Sequence, residues 1–182
     1  MQMVNRKGQE AAPFELLIAV IVMGFVIVIG TYAINNMHWE QCKRDTEKGL
    51  NNLKNSLESI TTAGSVANIN FRLSGCFDPN DEIIWIEDET GVERCVALGA
   101  GSKPLCPILK YANKDFSLRV PLNIPASTVF PSEPGLKCPE RPGTYLVDFE
   151  DKEMEKQGDY LLINGSSGNE AITTICAYRR ES

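Results

Sequence analysis

The feature that most constrains this chain is an uninterrupted apolar stretch near its N-terminus. No residue from position 16 to position 39 carries a formal charge, and residues 16–34 are almost wholly apolar. At a helical rise of about 1.5 Å per residue, roughly 20 such residues cross the hydrocarbon core of a bilayer. A core helix of a globular protein would carry a polar face, whereas this stretch is apolar on all sides. The sequence therefore predicts a membrane-spanning helix.

Basic residues before this stretch indicate its orientation. Arg6 and Lys7 precede it, which keeps the N-terminus cytoplasmic and sends the remainder of the chain outside. A plain signal-anchor and a cleaved secretory signal are the alternatives. A secretory signal is cut after a shorter apolar core, and here the run is longer and passes straight into another helical pattern.

Three details of the N-terminal segment resemble archaeal type IV pilins. Lys7-Gly8-Gln9 is similar to the class III leader of that family, in which cleavage follows the glycine and leaves the apolar run on the mature protein. Glu15 resembles the glutamate at the start of the pilin helix, and Gly24 follows it at a matching distance. Cleavage after Gly8 would make Glu15 the seventh residue of the mature chain, two positions later than in the family.

The resemblance implies a fold and an assembly. We expect an α+β chain with a leader at 1–8, a membrane and filament-core helix at 9–36, an amphipathic continuation at 37–64, and an antiparallel β-rich extracellular head at 65–182. Partners would be the membrane, a prepilin peptidase, the assembly machinery and identical subunits in a helical filament. In the family the glutamate meets the N-terminal amine of a neighbouring subunit. Alternatively, Glu15 lies at headgroup level, where the helix dipole favours it.

The amphipathic continuation has apolar or small residues at steps of three and four. They are Trp39, Cys42, Thr46, Leu50, Leu53, Leu57 and Ile60. This pattern predicts a helix that lays one stripe against the head, with a stop near Ala63 and Gly64.

The head is predicted to consist mainly of strands. Strands at 83–86 and 92–98 would flank a turn at 88–91, and 116–124 reads as a half-buried strand at a sheet edge. Further strands are expected at 145–149, 160–163 and 171–178, the last two around a glycine-rich turn. Residues 99–107 and 125–142 are expected to be loops.

The cysteine count favours export. An even number of cysteines after a membrane-crossing segment indicates disulfides, whereas buried free thiols in a cytosolic protein are the alternative. The six candidates are Cys42, Cys76, Cys95, Cys106, Cys138 and Cys176. Joining near neighbours pairs Cys76 with Cys95 and Cys106 with Cys138, which leaves Cys42 for Cys176. In a filament, Cys42 would alternatively bond to another subunit.

Few residues suggest catalysis or cofactor chemistry. The only histidine is His38, no C-x-x-C pair exists, and the cysteine spacing fits no zinc template. We expect no enzyme activity, no cofactor and no metal site. The acidic runs at 87–89 and 150–151 are read as solvated turns rather than calcium ligands. Gly99-Ala100-Gly101 is read as a flexible turn rather than a phosphate loop.

Asn164 begins a glycosylation sequon, Asn164-Gly165-Ser166, on a predicted exterior turn. The alternative is a turn that uses Asn-Gly for its backbone conformation alone. The net charge of −6 makes nucleic acid an unexpected partner of the bulk surface.

These features predict a structural subunit of a surface filament, acting in adhesion, attachment or motility. A minor pilin or pseudopilin of a secretion or DNA-uptake system is the alternative within the family. A single-pass anchored binding module on the cell surface is the alternative from another class.

Overall fold

A computed structural model describes residues 12–73, 75–151, 157–166 and 171–180. In chain order the elements are α1 (Ala12–Ser59), β1 (Val66–Phe71), a 3-10 turn (Pro79–Asp81), β2 (Ile83–Thr90), α2 (Val92–Ala97), β3 (Leu105–Ala112), β4 (Ser117–Pro121), β5 (Thr144–Leu146), β6 (Gly158–Asn164) and β7 (Ile175–Arg180). A long apolar helix followed by antiparallel sheets is the α+β architecture that the sequence predicts. The chain divides into two units, Met1–Lys43 and Arg44–Ser182, which we call the helical unit and the head.

The helical unit contains the first part of α1. Its large apolar side chains from Phe14 to Met37 are exposed, with exposed fractions from 48% at Ile18 to 74% at Tyr32. By length and composition, α1 is compatible with membrane insertion. A signal sequence near the N-terminus would have the same length and apolar composition.

The head includes the last turns of α1. Leu50, Leu53, Leu57 and Ile60 are each at most 1% exposed and belong to the main hydrophobic core. These positions recur at steps of three and four, which confirms the predicted amphipathic stripe for this part of the helix. The helix ends at Ser59, earlier than the predicted stop at Ala63.

Two antiparallel sheets complete the head. The four-stranded sheet has the order β1-β6-β7-β5, and the three-stranded sheet has the order β2-β3-β4. In β6, alternate residues are buried, whereas β3 is buried along six consecutive residues and so on both of its faces.

The main core joins both sheets and the end of α1. Phe149 is fully buried at its centre, and its ring lies 5.5 Å from that of Phe130 and 5.6 Å from that of Tyr160. From the three-stranded sheet, Ile84 and Leu109 face the same core. Aromatic pairs at these separations add to the stabilisation from burial.

Three of the predicted elements are wrong. The turn expected at 88–91 lies mostly within β2, which continues to Thr90. Residues 92–98 were expected to form a strand, but Val92–Ala97 is helix α2, with Cys95 on its buried side. Residues 99–107 were expected to form a loop, but β3 already begins at Leu105. Six residues are too few to separate a strand period from a helix period, and β3 lacks alternation because both of its faces are covered.

Candidate functional site

The helical unit presents one carboxylate on an apolar face. Glu15 lies in the first turn of α1 and borders a shallow surface with apolar side chains one, two and three turns along the helix. The other residues of this surface are Ile18, Ala19, Val22, Met23 and Val26. Among the described residues, Glu15 has no ion-pair partner. The surface therefore offers a broad apolar strip that ends in one negative charge.

One hydroxyl further along this helix, that of Thr31, is satisfied within it. The Thr31 hydroxyl donates to the carbonyl oxygens of Ile27 and Val28, at 3.0 Å each. Gly24 has open space around it. In a medium without water, backbone and hydroxyl groups must find such internal partners. The Thr31 hydroxyl meets that requirement.

The predicted leader site, Lys7-Gly8-Gln9, lies outside the described residues. His38 is described, and its Nδ1 lies 3.3 Å from Cys42 Sγ. Because Cys42 is disulfide-bonded, its sulfur is not a thiolate and cannot act as a nucleophile or a thiolate metal ligand.

All six cysteines are oxidised, but the predicted pairing is wrong. Cys95 bonds to Cys106, and Cys138 bonds to Cys176. Cys42 and Cys76, the remaining two, are disulfide-bonded as well, and no cysteine is free. The expected bonds Cys76–Cys95, Cys106–Cys138 and Cys42–Cys176 are therefore absent.

The reason for the wrong pairing lies in the local structure. Helix α2 turns Cys95 back towards the start of β3, which places its Cα 5.9 Å from that of Cys106. The loop at 131–142 runs beside β7, where the Cα atoms of Cys138 and Cys176 are 5.5 Å apart. Both separations are within the range that a disulfide requires.

Asn164 was expected on an exterior turn, but it is the last residue of β6 and only 3% exposed. Its Nδ2 donates to the carbonyl oxygen of Ile60 at 2.8 Å, and its Oδ1 accepts from the backbone N–H of Ser166 at 2.9 Å. The nitrogen that a glycan would occupy is thus used inside the head. A turn with positive φ is also wrong, because neither Asn164 nor Gly165 has positive φ.

The acidic run at 87–89 is divided between the two faces of its sheet. On one face, Lys110 Nζ lies 2.8 Å from Glu87 Oε2 and 3.9 Å from Glu89 Oε2. Asp88 points the other way, towards Glu150, and both carboxylates border a cavity. Burial raises the pKa of Glu150, and the carboxylates of Asp148 and Asp88 raise it further.

That cavity is a feature that sequence reasoning missed. It has a volume of about 250 Å³, and the buried side chains of Ile86, Ile124 and Phe130 form its floor. It lies where the edge of β2 meets the segment after β5, since the Ile86 N–H donates to the Phe149 carbonyl oxygen at 2.7 Å. These residues are far apart in sequence, so no local pattern signals the cavity.

No family model, curated protein or solved structure matches this chain.

Proposed function

We propose that this chain is the subunit of a type IV pilus-like surface filament, assembled by packing of its apolar N-terminal helices. The observation that carries the proposal is the helical unit itself. Its apolar side chains are exposed along the helix, and Glu15 is its one acidic residue between Ala12 and Trp39. A surface of this kind requires a bilayer or other copies of itself around it.

The proposed assembly exchanges one apolar environment for another. In a bilayer the helix is surrounded by lipid tails about as apolar as itself, so moving into a bundle of like helices gains packing more than hydrophobic energy. The free-energy difference is therefore small enough for a motor-driven machine to extract subunits from the membrane. Glu15 would bind the N-terminal amine of a neighbouring subunit, which replaces an unpaired charge with an ion pair.

The disulfide-bearing head supports a position outside the cell. Two disulfides within the head, Cys95–Cys106 and Cys138–Cys176, are typical of proteins in oxidising compartments. In the proposed filament the acidic heads form the outer surface and provide adhesion or attachment.

Electron microscopy of cells with and without the chain tests this proposal. We expect surface filaments that disappear when the chain is deleted and return when the full chain is restored. If the chain is instead a minor pilin, the deletion strain should keep filaments whose main component is another protein. Unchanged filaments in the deletion strain would reject the proposal and favour a single-pass anchored module.

A further inference from the structure

A groove on the head combines charges of both signs. It lies beside the end of α2, on the face of the three-stranded sheet opposite the main core, and has a volume of about 580 Å³. The charged residues that line it are Glu87, Glu89, Arg94, Lys110 and Arg119. The groove thus has three cations and two carboxylates, in a chain whose net charge is −6.

Four of these five charges balance one another. Lys110 Nζ lies 2.8 Å from Glu87 Oε2 and 3.9 Å from Glu89 Oε2. Arg94 Nη1 lies 3.0 Å from Glu89 Oε1. Arg119 is exposed, and it has no ion-pair or hydrogen-bond partner among the described residues. It therefore contributes one positive charge that no carboxylate in the described part of the chain balances.

The position of Arg119 in the sheet makes this charge costly. The register of β3 and β4 places Arg119 directly opposite Lys110, which is only 9% exposed. At the end of the same ladder the Leu122 N–H donates to the Pro107 carbonyl oxygen, and hydrogen-bonded pairs alternate from there. Lys110 and Arg119 thus form a non-hydrogen-bonded pair, in which side chains approach most closely. Like charges at opposite positions destabilise a sheet.

Protection of the sheet edge does not explain an arginine here. Strand β4 lies at the edge of its sheet, and a charged residue on an edge strand discourages pairing with other chains. A glutamate at position 119 would protect the edge equally well and would attract Lys110 instead of repelling it. Departures from local pairing preferences concentrate at functional sites. The sign of the charge therefore indicates a ligand that is itself negative.

The groove also limits the chemistry of that ligand. The guanidinium group of Arg119 has parallel N–H donors that match one carboxylate. Glu87 and Glu89 would repel a phosphate or a ligand with several carboxylates, but each can accept hydroxyl protons beyond its ion pairs. Leu98 adds an apolar surface beside them. One carboxylate, several hydroxyl groups and an apolar ring face are together the features of a uronic acid.

We propose that this groove binds a uronic acid unit of an acidic polysaccharide. Arg119 binds the sugar carboxylate, and Glu87 and Glu89 accept hydrogen bonds from its hydroxyl groups. The site goes beyond the proposed filament, because every residue that it uses belongs to the head. In a filament it would give the subunit a ligand on surfaces that carry such sugars.

Ligand-observed NMR titration of the detergent-solubilised full chain tests the site. The probe is methyl glucuronide, and the matched ligand control is methyl glucoside, which has a hydroxymethyl group in place of the carboxylate. We expect the glucuronide to bind and the glucoside to bind far more weakly. Arg119→Gln should weaken glucuronide binding about tenfold, because a charged hydrogen-bonded contact is lost. Arg180→Gln removes the same charge from an exposed position of β7 and should bind like the unchanged chain.

Each contrary result overturns a specific step. Absence of glucuronide binding, or equal binding of the glucoside, would overturn the site. Equal loss of binding in Arg119→Gln and Arg180→Gln would show general charge attraction and overturn the role of Arg119. Tighter binding of glucose 6-phosphate would overturn the preference for a single charge. Tighter binding of N-acetylglutamate amide, which has a carboxylate and no hydroxyl group, would overturn the sugar.

The unfolding midpoint without ligand gives a second readout. Arg119→Gln removes the repulsion from Lys110, so its midpoint should equal or exceed that of the unchanged chain. A lower midpoint would show that Arg119 stabilises the fold and would overturn its assignment to a ligand.

The two proposals fail separately, because the titration needs no filaments. Failure to bind the glucuronide would reject this site and leave the proposed function standing. Binding by a chain whose cells form no filaments would support the site and reject the filament.

Discussion

At the scale of single residues, Asn164 connects the end of the long helix to the four-stranded sheet. Its side chain donates to the Ile60 carbonyl oxygen, and its backbone N–H donates to the Ser65 carbonyl oxygen at 2.9 Å. The sequence could not show this role, because Ile60 lies 104 residues earlier in the chain. The asparagine that begins the glycosylation sequon therefore makes a long-range hydrogen bond in the fold.

Asn164→Ala should destabilise the head. The change leaves the buried Ile60 carbonyl oxygen without its side-chain donor, which costs about 1–3 kcal/mol. Denaturant unfolding of the detergent-solubilised full chain measures the loss. Asn55→Ala, at an exposed position of α1, is the matched control and should be neutral or slightly stabilising. Equal midpoints for Asn164→Ala and the unchanged chain would contradict the assigned role.

Glu82 is a second residue whose role depends on distant partners. The Tyr111 hydroxyl donates to its Oε1 at 2.9 Å, and Gln157 Nε2 donates to its Oε2 at 2.9 Å. Burial raises the pKa of Glu82 from the ordinary value of 4.5, although these two hydrogen bonds oppose the shift. Because the pKa in the folded state is the higher one, folding favours the protonated form.

The sign of the pH dependence follows from this shift. The contribution of Glu82 to stability is fully present below the ordinary pKa and is lost as the pH rises through the raised pKa. Glu82→Gln carries no charge at any pH and removes this loss. Unfolding free energies measured from about pH 4 to about pH 7 should therefore show the variant gaining on the unchanged chain. Parallel profiles would show that Glu82 does not titrate in this way.

At the scale of elements, α2 is the part of the fold where the prediction from the sequence differs most from the structure. Val92 and Val96 favour a strand, but Gly91 has φ of +107° and turns the chain sharply after β2. The chain then forms six helical residues, too few to be stable alone. Burial of Cys95 and its bond to Cys106 stabilise this conformation, and neither is visible in a local pattern.

Removing the Cys95–Cys106 disulfide should unfold α2 and leave the two sheets folded. In Cys95→Ala/Cys106→Ala, loss of a disulfide that closes a short loop should cost about 2–3 kcal/mol. Hydrogen exchange should accelerate at the N–H groups of Leu98 and Ala100, which donate within this turn to Arg94 and Cys95. Strands β6 and β7 should keep their protection. Unchanged exchange at both positions would show that α2 is held by packing alone.

At the scale of the whole molecule, the sequence predicted a long apolar helix followed by an antiparallel β-rich head. Period and length identified α1 and its buried stripe, because Leu50, Leu53 and Leu57 repeat at helical spacing over several turns. The disulfide pairing and the cavity depend on which strands become neighbours, and that is set by contacts between distant segments. Those contacts cannot be inferred from local sequence patterns.

Glu15→Gln should separate membrane insertion from assembly. A neutral side chain is less costly to bury in a bilayer, so insertion should be intact or improved. Filament yield should fall, because the proposed ion pair with the neighbouring amine is lost. Glu47→Gln, at an exposed position of the head, is the matched control. Normal filament yield from Glu15→Gln cells would leave Glu15 with an interfacial role only.

The most direct test of the proposed function is the mass and N-terminal sequence of the chain in sheared surface filaments. We predict that the chain is present there and begins at Gln9, with the basic residues Arg6 and Lys7 removed. Recovery of the chain from the membrane fraction alone, with Met1 intact, would contradict a filament subunit and indicate an anchor. A start between residues 31 and 36 would contradict it as well and indicate a secretory signal.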